Sequence, residues 1–506
     1  MTSKAAALSW VVVALVGAIV VALVLALSLF PRLNAAQSLI DDAKPVFVAD
    51  RVAGDRAAID MVSTAVDALD PVVNDRGGAA GEVPKLVAFV AQTSGMPEPA
   101  VLQALQTNFP HTTALLQSLP FSSVTAELPG LVSFLSTTLK MSPDQLQAAL
   151  KTNFPKLAQV VTALPTVTSG WDNVPGTETL TRFDGSPARS VPQIRDYFSA
   201  DVIPVLERQQ GNFQSLASKG GVAYLNILLL VVGIVVLVFG ALMAVLAARG
   251  VGTGIVTAAW GVVIAVGALV VILVFALALF PRLSAGQNLL DDARPMFNAD
   301  RVAGDRAAIN MVSTVVDLAD PVASAQGGAA AEVPKLVAFV SQQTGMPQAD
   351  VLNALKTNFP KTTSLLQAIP LSDVTAEVPK LVEFVSTTLK TTPDAVHAAL
   401  RGSFPRLNQA ITALPVVINN WNSVPGTAML TRFDGSPVSS VPQIRDYFGG
   451  DVIPVLERQQ GNFQTVDTTW PRLTVFAPLL LVVGIVVILY GAVMLLLSRR
   501  RTATTV

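Results

Sequence analysis

The sequence predicts an all-α integral membrane protein, with four transmembrane helices and two homologous extracytoplasmic helical domains. Three observations predict it. Only 14% of the 506 residues are charged, where a soluble domain carries nearer a quarter. All 35 acidic residues fall within 31–221 and 281–472, leaving long apolar segments between them. The chain also repeats itself 250 positions on: "LTRFDGSPARSVPQIRDYFSADVIPVLERQQGNFQ" at 180–214 returns as "LTRFDGSPVSSVPQIRDYFGGDVIPVLERQQGNFQ" at 430–464.

The first element is the apolar segment 8–30. It holds no Asp, Glu, Lys or Arg and exceeds the roughly 20 residues that a helix needs to cross the hydrocarbon core. It is too long for the apolar core of a cleaved signal peptide. Its "ALSLFPRL" exit also recurs as "ALALFPRL" at 276–283, where a cleavage signal has no place. An anchor is expected.

The first water-facing domain, 31–221, opens with a helical stretch at 34–69, interrupted near Pro45. It closes with another at 191–216, interrupted near Pro204. The two are expected to form an antiparallel stalk. Between them runs a second, shorter period of 45 residues: Glu82 with Pro84 returns as Glu127 with Pro129, and "TNFP" at 107–110 returns at 152–155. In "EVPKLVAFVAQTSGMP" the proline suits a first helical turn, Leu86, Phe89 and Val90 share a face, and Gly95 is a stop. In "SPDQLQAALKTNFP" Ser142 is an N-cap, Asp144 lies in the first turn, and the Phe-Pro pair closes the helix. No stretch alternates with period two between hairpin turns.

Segments 222–248 and 255–280 are the second and third spans, joined by a tight turn. Domain 281–472 repeats the first, and 473–497 is the fourth span. Each repeat starts and ends on the same side, so the two form a pseudo-dimer within one chain, related by an axis along the membrane normal. Lys4, Arg249, Arg499, Arg500 and Arg501 flank the spans at the termini and at the short turn. By the positive-inside rule these ends are cytoplasmic and both large domains are outside. The chain has no cysteine, which suits a bacterial plasma membrane protein whose domains bury their own cores. Its Ala/Val-rich, lysine-poor style fits a high-GC bacterium. A net charge of −1 argues against nucleic-acid binding.

Catalytic chemistry has little to stand on. The two histidines are His111 and His397; the other repeat places Lys361 and Gln147 at their positions, so neither marks a metal site. Ser136 with Lys140, and Ser386 with Lys390, have the spacing of a Ser–Lys dyad, but they sit at helix ends where a lysine is favoured by the dipole. Asp41 and Asp42, like Asp291 and Asp292, are adjacent and diverge on a helix. Arg51 and Asp55, and Arg301 and Asp305, have ion-pair spacing on a helix face. "RGVGTG" at 249–254 has no preceding strand and is a turn rather than a phosphate loop. The spans hold no ionisable group of the kind that ion-driven transporters use. Gly233 and Gly240, matched by Gly484 and Gly491, suit close helix packing. No cofactor or metal is expected.

The remaining feature is the duplicated loop "RFDGSP", at 182–187 and 432–437. Its Asp-Gly-Ser-Pro core is turn chemistry. Turn formation leaves Arg182, Phe183 and Trp171, and their counterparts Arg432, Phe433 and Trp421, unaccounted for. With Asp184 and Asp434 they are candidate recognition loops. The function expected from these readings is non-enzymatic: a cell-envelope protein whose duplicated ectodomains bind a protein partner or scaffold an envelope assembly. The alternative is an accessory for lipid or glycolipid binding or transport, with an apolar groove in the helical domains.

Overall fold

The computed structural model describes residues 3–26, 28–73, 78–217, 224–250, 253–323, 328–467 and 472–502. Among them every regular element is helical, apart from two isolated antiparallel bridges, Thr181 to Pro187 and Thr431 to Pro437. Two compact units emerge, and each draws on both repeats. One comprises Met1–Ala49, Val205–Ala299 and Val455–Val506; the other comprises Asp50–Pro204 and Asp300–Pro454. The sequence divides the water-facing residues into two consecutive domains. The structure instead gathers most of both into the second unit, because the repeats pack against each other along their length.

In the first unit, helices Ser3–Ala26, Tyr224–Ala248, Thr253–Ala276 and Phe476–Thr502 are long and apolar enough to cross a membrane. Glycines let them approach closely within each repeat. A Cβ on Gly17 would meet the backbone of Leu237, and one on Gly267 would lie 2.9 Å from the Gly484 carbonyl oxygen. Gly240 faces Ala14 and Gly491 faces Ile264 at the same seams. Between repeats, Trp10 stacks on Trp260 at 3.9 Å and the Tyr490 hydroxyl donates to the Ser9 carbonyl at 3.0 Å.

The sequence runs the first and third spans to 30 and 280, but their helices stop at Ala26 and Ala276. Ser28 and Ala278 then adopt left-handed backbone, with φ of 49° and 48°, and new helices begin at Leu29 and Leu279. Pro31 and Pro281 fall in the first turns of these new helices, where a missing N–H costs nothing. The expected start of the second span at 222, and Val251 and Gly252 of the 249–254 turn, lie outside the described residues. Gly250 in that turn has a φ of 76°. Helices Leu29–Ala43 and Leu279–Ala293 are also tied across the repeats: Arg32 donates to the Val466 carbonyl at 3.2 Å, and Arg282 to that of Leu216 at 2.7 Å.

In the second unit, each 45-residue period is a triplet of helices. Triplet A is Val83–Ser94, Glu98–Asn108 and Pro110–Ser118; triplet B is Phe121–Leu139, Pro143–Asn153 and Pro155–Gly170. Triplet C is Ala329–Thr344, Gln348–Asn358 and Pro360–Ala368; triplet D is Leu371–Thr388, Pro393–Ser403 and Pro405–Asn420. The stop at Gly95 (φ 72°) and the Ser142 capping box with Gln145 are where the sequence puts them. The Phe-Pro pair does more than close a helix. Phe109, Phe154, Phe359 and Phe404 each end one helix and cap the next, which the proline opens at its first position.

The triplets pair across the repeats, A with D and B with C. The glutamate before each triplet's proline caps a Phe-Pro helix of its partner. Glu377 accepts from the His111 and Thr112 amides (3.3 and 2.7 Å), and Glu82 from those of Arg406 and Leu407 (3.3 and 2.8 Å). Glu332 accepts from Lys156 and Leu157 (3.3 and 2.9 Å), and Glu127 from Lys361 and Thr362 (3.1 and 2.8 Å). A carboxylate is well suited to these exposed N–H groups at the positive end of a helix. Phenylalanines follow the same pairing: Phe89 meets Phe404 and Phe109 meets Phe384, while Phe134 meets Phe359 and Phe154 meets Phe339.

Candidate functional site

The "RFDGSP" loop is a tight turn. The Arg182 amide donates to the Ser186 carbonyl at 2.8 Å, Gly185 has a φ of 87°, and Asp184 accepts from both the amide and the hydroxyl of Ser186 at 2.8 and 2.6 Å. Those bonds hold the exposed Asp184 carboxyl below the usual carboxylate range, and Asp434 repeats the arrangement with Ser436. Arg182 forms a two-pronged pair with Asp201 at 3.0 and 3.1 Å, and Arg432 one with Asp451 at 3.1 and 2.9 Å.

Asp201 and Asp451 sit in π-helical turns, Tyr197–Val202 and Phe448–Val452, just before Pro204 and Pro454. A proline cannot donate to the helix behind it, and the wider turn absorbs that loss without breaking the helix. Trp171 and Trp421 are buried at 0% and 1% exposure, and their indole N–H groups donate to Asp70 and Asp320 at 2.9 and 3.1 Å. Both tryptophans of the candidate recognition loops are therefore interior, whereas both arginines are held in internal ion pairs while staying partly exposed, at 26% and 32%. The carboxyls of Asp184 and Asp434 remain at the surface.

The helix "DRVAGDRAAI" of one repeat reaches the loop of the other. Arg301 donates to the Thr181 hydroxyl and the Arg182 carbonyl at 3.1 and 3.0 Å, and its guanidinium lies 5.0 Å over the Phe183 ring. Arg51 does the same for Thr431, Arg432 and Phe433, at 2.9, 3.4 and 5.1 Å. Gly54 and Gly304 make this approach possible: a Cβ there would lie 2.9 Å from Leu430 Cβ and 3.0 Å from Leu180 Cβ.

The same crossing buries Asp55 and Asp305, at 2% and 3% exposure. The sequence reads them as ordinary ion pairs on a helix face. The structure takes them out of water, because each lies on the face that the opposite loop covers. The Tyr197 hydroxyl is 3.5 Å from Asp305 Oδ2, and Tyr447 sits beside Asp55 short of hydrogen-bond geometry. Burial pushes both carboxyls up to about 7, against the opposing pull of the tyrosine and of Arg51 or Arg301. The glycine between arginine and aspartate was the available cue, since a glycine inside a helix marks a close approach.

No Ser–Lys dyad forms. Ser136 donates to the Met141 carbonyl and Ser386 to that of Glu383, while Lys140 and Lys390 (φ 56° and 52°) end their helices in left-handed backbone. His111 contacts the Gln367 carbonyl at 2.9 Å, where the other repeat uses Lys361 against Gln117 at 2.6 Å. No cluster of metal-ligating side chains occurs among the described residues.

What the second unit does contain is apolar space. A cavity of about 140 Å³ lies between the repeats, walled by residues such as Val66, Leu69, Val316, Ala319 and Trp421. A second, of about 380 Å³, lies within the A–D pair. Thr112, Leu116, Val378 and Ile411 line both, so the two adjoin. Organic ligands commonly occupy pockets of roughly 300–1,000 Å³ with mainly apolar walls. No protein-family model, curated protein or solved structure matches the chain.

Proposed function

We propose that the chain is a non-enzymatic accessory of a bacterial cell envelope that holds a lipid or glycolipid in its helical unit. The observation that carries this reading is the pair of adjoining apolar cavities. A scaffold for a protein partner draws its support from Trp171, Trp421, Arg182 and Arg432 as recognition residues, and all four have partners inside the fold. The cavities have no such internal use.

In this reading the two repeats descend from a duplication. The chain is anchored by four membrane helices, with Lys4, Arg249, Arg499 and Arg500 on the cytoplasmic side and the helical unit outside. The test is native mass spectrometry of the intact protein, gently extracted from its own membrane. A retained lipid-sized adduct that is lost when Ala319→Phe fills the central cavity supports the reading. A stoichiometric protein adduct with no lipid would overturn it in favour of the scaffold.

A further inference from the structure

The A–D cavity exists where the repeats differ in side-chain size. Val378, Val385, Thr391, Ala395 and Val396 line it in triplet D. The other repeat places Leu128, Leu135, Met141, Gln145 and Leu146 at those positions. Triplet A adds Thr93 to the lining where triplet C has Gln343. Six side chains are thus smaller around the cavity than at the equivalent places in the B–C pair, and one, Ile411 against Val161, is larger. In B–C the larger residues close up: Leu135 and Leu146 join Val340, Val351, Leu355 and Phe359 in one buried cluster.

One charged side chain marks the space. Lys390 and Thr391 are exposed residues that line the cavity, and Lys390 brings the one charge in its wall. No hydrogen bond or ion pair to the Lys390 ammonium occurs among the described residues. Deeper in, the buried Thr112 lines both cavities, and its hydroxyl has no hydrogen-bond partner, as is also true of its counterpart Thr362 in the B–C pair.

Resting on the lipid reading above, we propose that the A–D cavity is a binding site for an anionic amphiphile with a single aliphatic chain. Its acidic head pairs with Lys390, and its chain runs inward past Thr112 toward the central cavity. Lys390 is the one charged residue in the wall, and its positive charge favours an acidic head over a neutral or cationic one. The B–C pair, with its larger side chains, is the unliganded structural counterpart.

The experiment uses the full chain in nanodiscs of phosphatidylcholine and a palmitate analogue with a diazirine at the end of its chain. After photolysis, the labelled peptides are mapped by mass spectrometry. Label is expected on the peptides carrying Thr112, Leu116 and Val378, beyond the background on the membrane helices. The variant Val385→Leu/Thr391→Met/Val396→Leu installs residues that the other repeat already accommodates. It should lower cavity labelling at least tenfold while leaving membrane-helix labelling unchanged, and a thermal denaturation midpoint no lower than that of the parent chain reports that its helical unit is folded. Lys390→Glu should lower cavity labelling several-fold for palmitate but not for the matching long-chain alcohol.

Equal cavity labelling in the filled variant, or label confined to the membrane helices, overturns the site. If the alcohol labels the cavity and palmitate does not, the lipid reading stands and the anionic head is wrong.

Discussion

The crossed loops and the paired triplets are built by the same two repeats, yet only the loops are twins. At the loops, Arg51, Asp55, Tyr447, Arg432 and Asp451 match Arg301, Asp305, Tyr197, Arg182 and Asp201 residue for residue, and the arginine contacts agree within a few tenths of an ångström. At the triplets the glutamate caps match, but the apolar residues between them do not. The difference separates two kinds of constraint. A two-pronged ion pair or a capped helix start accepts one geometry and few side chains. An apolar interior asks mainly for volume and tolerates exchanges of Leu, Val and Met. One pair of triplets is therefore a packed core and the other holds a cavity, while the loops match.

The largest effect expected from this comparison is on pH dependence. Asp55 and Asp305 hold a proton in the folded chain up to about pH 7, while the unfolded carboxyls release it near their ordinary value of 3.8. Between those values the folded state binds more protons, so stability is highest on the acid side and falls as pH rises to 7. The fall is about 4 kcal/mol for each carboxyl, and the curve levels above that pH. Denaturation midpoints against pH for Asp55→Asn, Asp305→Asn and the double variant should show two equal contributions, with the double variant nearly flat in this window. One carboxyl carrying the whole slope would mean that the loops are not twins.

The next effect breaks the symmetry of the triplets. Leu146→Ala should destabilise by about 2–5 kcal/mol, because Leu146 is 1% exposed within the B–C core. Its counterpart Val396→Ala should cost clearly less, since a smaller group is removed from the wall of an existing cavity. Equal losses in thermal denaturation would mean that the A–D pair is packed as well as B–C. Conversely, Leu135→Val with Leu146→Val should carve a mirror-image cavity at about 1.5–2 kcal/mol, from roughly 0.8 kcal/mol per buried methylene. It should also gain a second labelled site for the palmitate probe. The smallest effect returns to what the pairs share: Glu127→Ala and Glu377→Ala should each cost about 0.5–2 kcal/mol, by the same amount, as caps of equivalent helices.

Much of this fold can be read from the chain alone, and the parts that cannot share a cause. The spans are legible because excluding charge over a membrane's thickness leaves a long, uninterrupted record. Gly95, Ser142 and the prolines are legible because a cap is a local event. Partner choice is not local. A helical period marks which face of Phe121–Leu139 is apolar, but nothing in the period says that triplet C, rather than triplet A, will cover it. The same limit hid Asp55 and Asp305: four residues after an arginine is ordinary surface spacing, and only the arrival of Leu430 or Leu180 over Gly54 or Gly304 makes the site dry. The Phe-Pro pairs were half legible, as an ending, because the new helix they open draws its second cap from a glutamate more than 170 positions away.

The reciprocal glutamate caps also bear on how the protein is made. When the first repeat leaves the ribosome, the helices at Pro110 and Pro155 begin without Glu377 and Glu332, which have yet to be synthesised. At about 5–20 residues per second, lags of 265 and 175 positions last roughly 10–50 s. During that interval the nascent first repeat displays open helix starts and apolar faces, a natural substrate for chaperones. Two neighbouring nascent chains on one polysome present each other with interchangeable halves, and an exchanged dimer would satisfy every cap. Joining the repeats in one polypeptide keeps the correct partner at high local concentration throughout that wait.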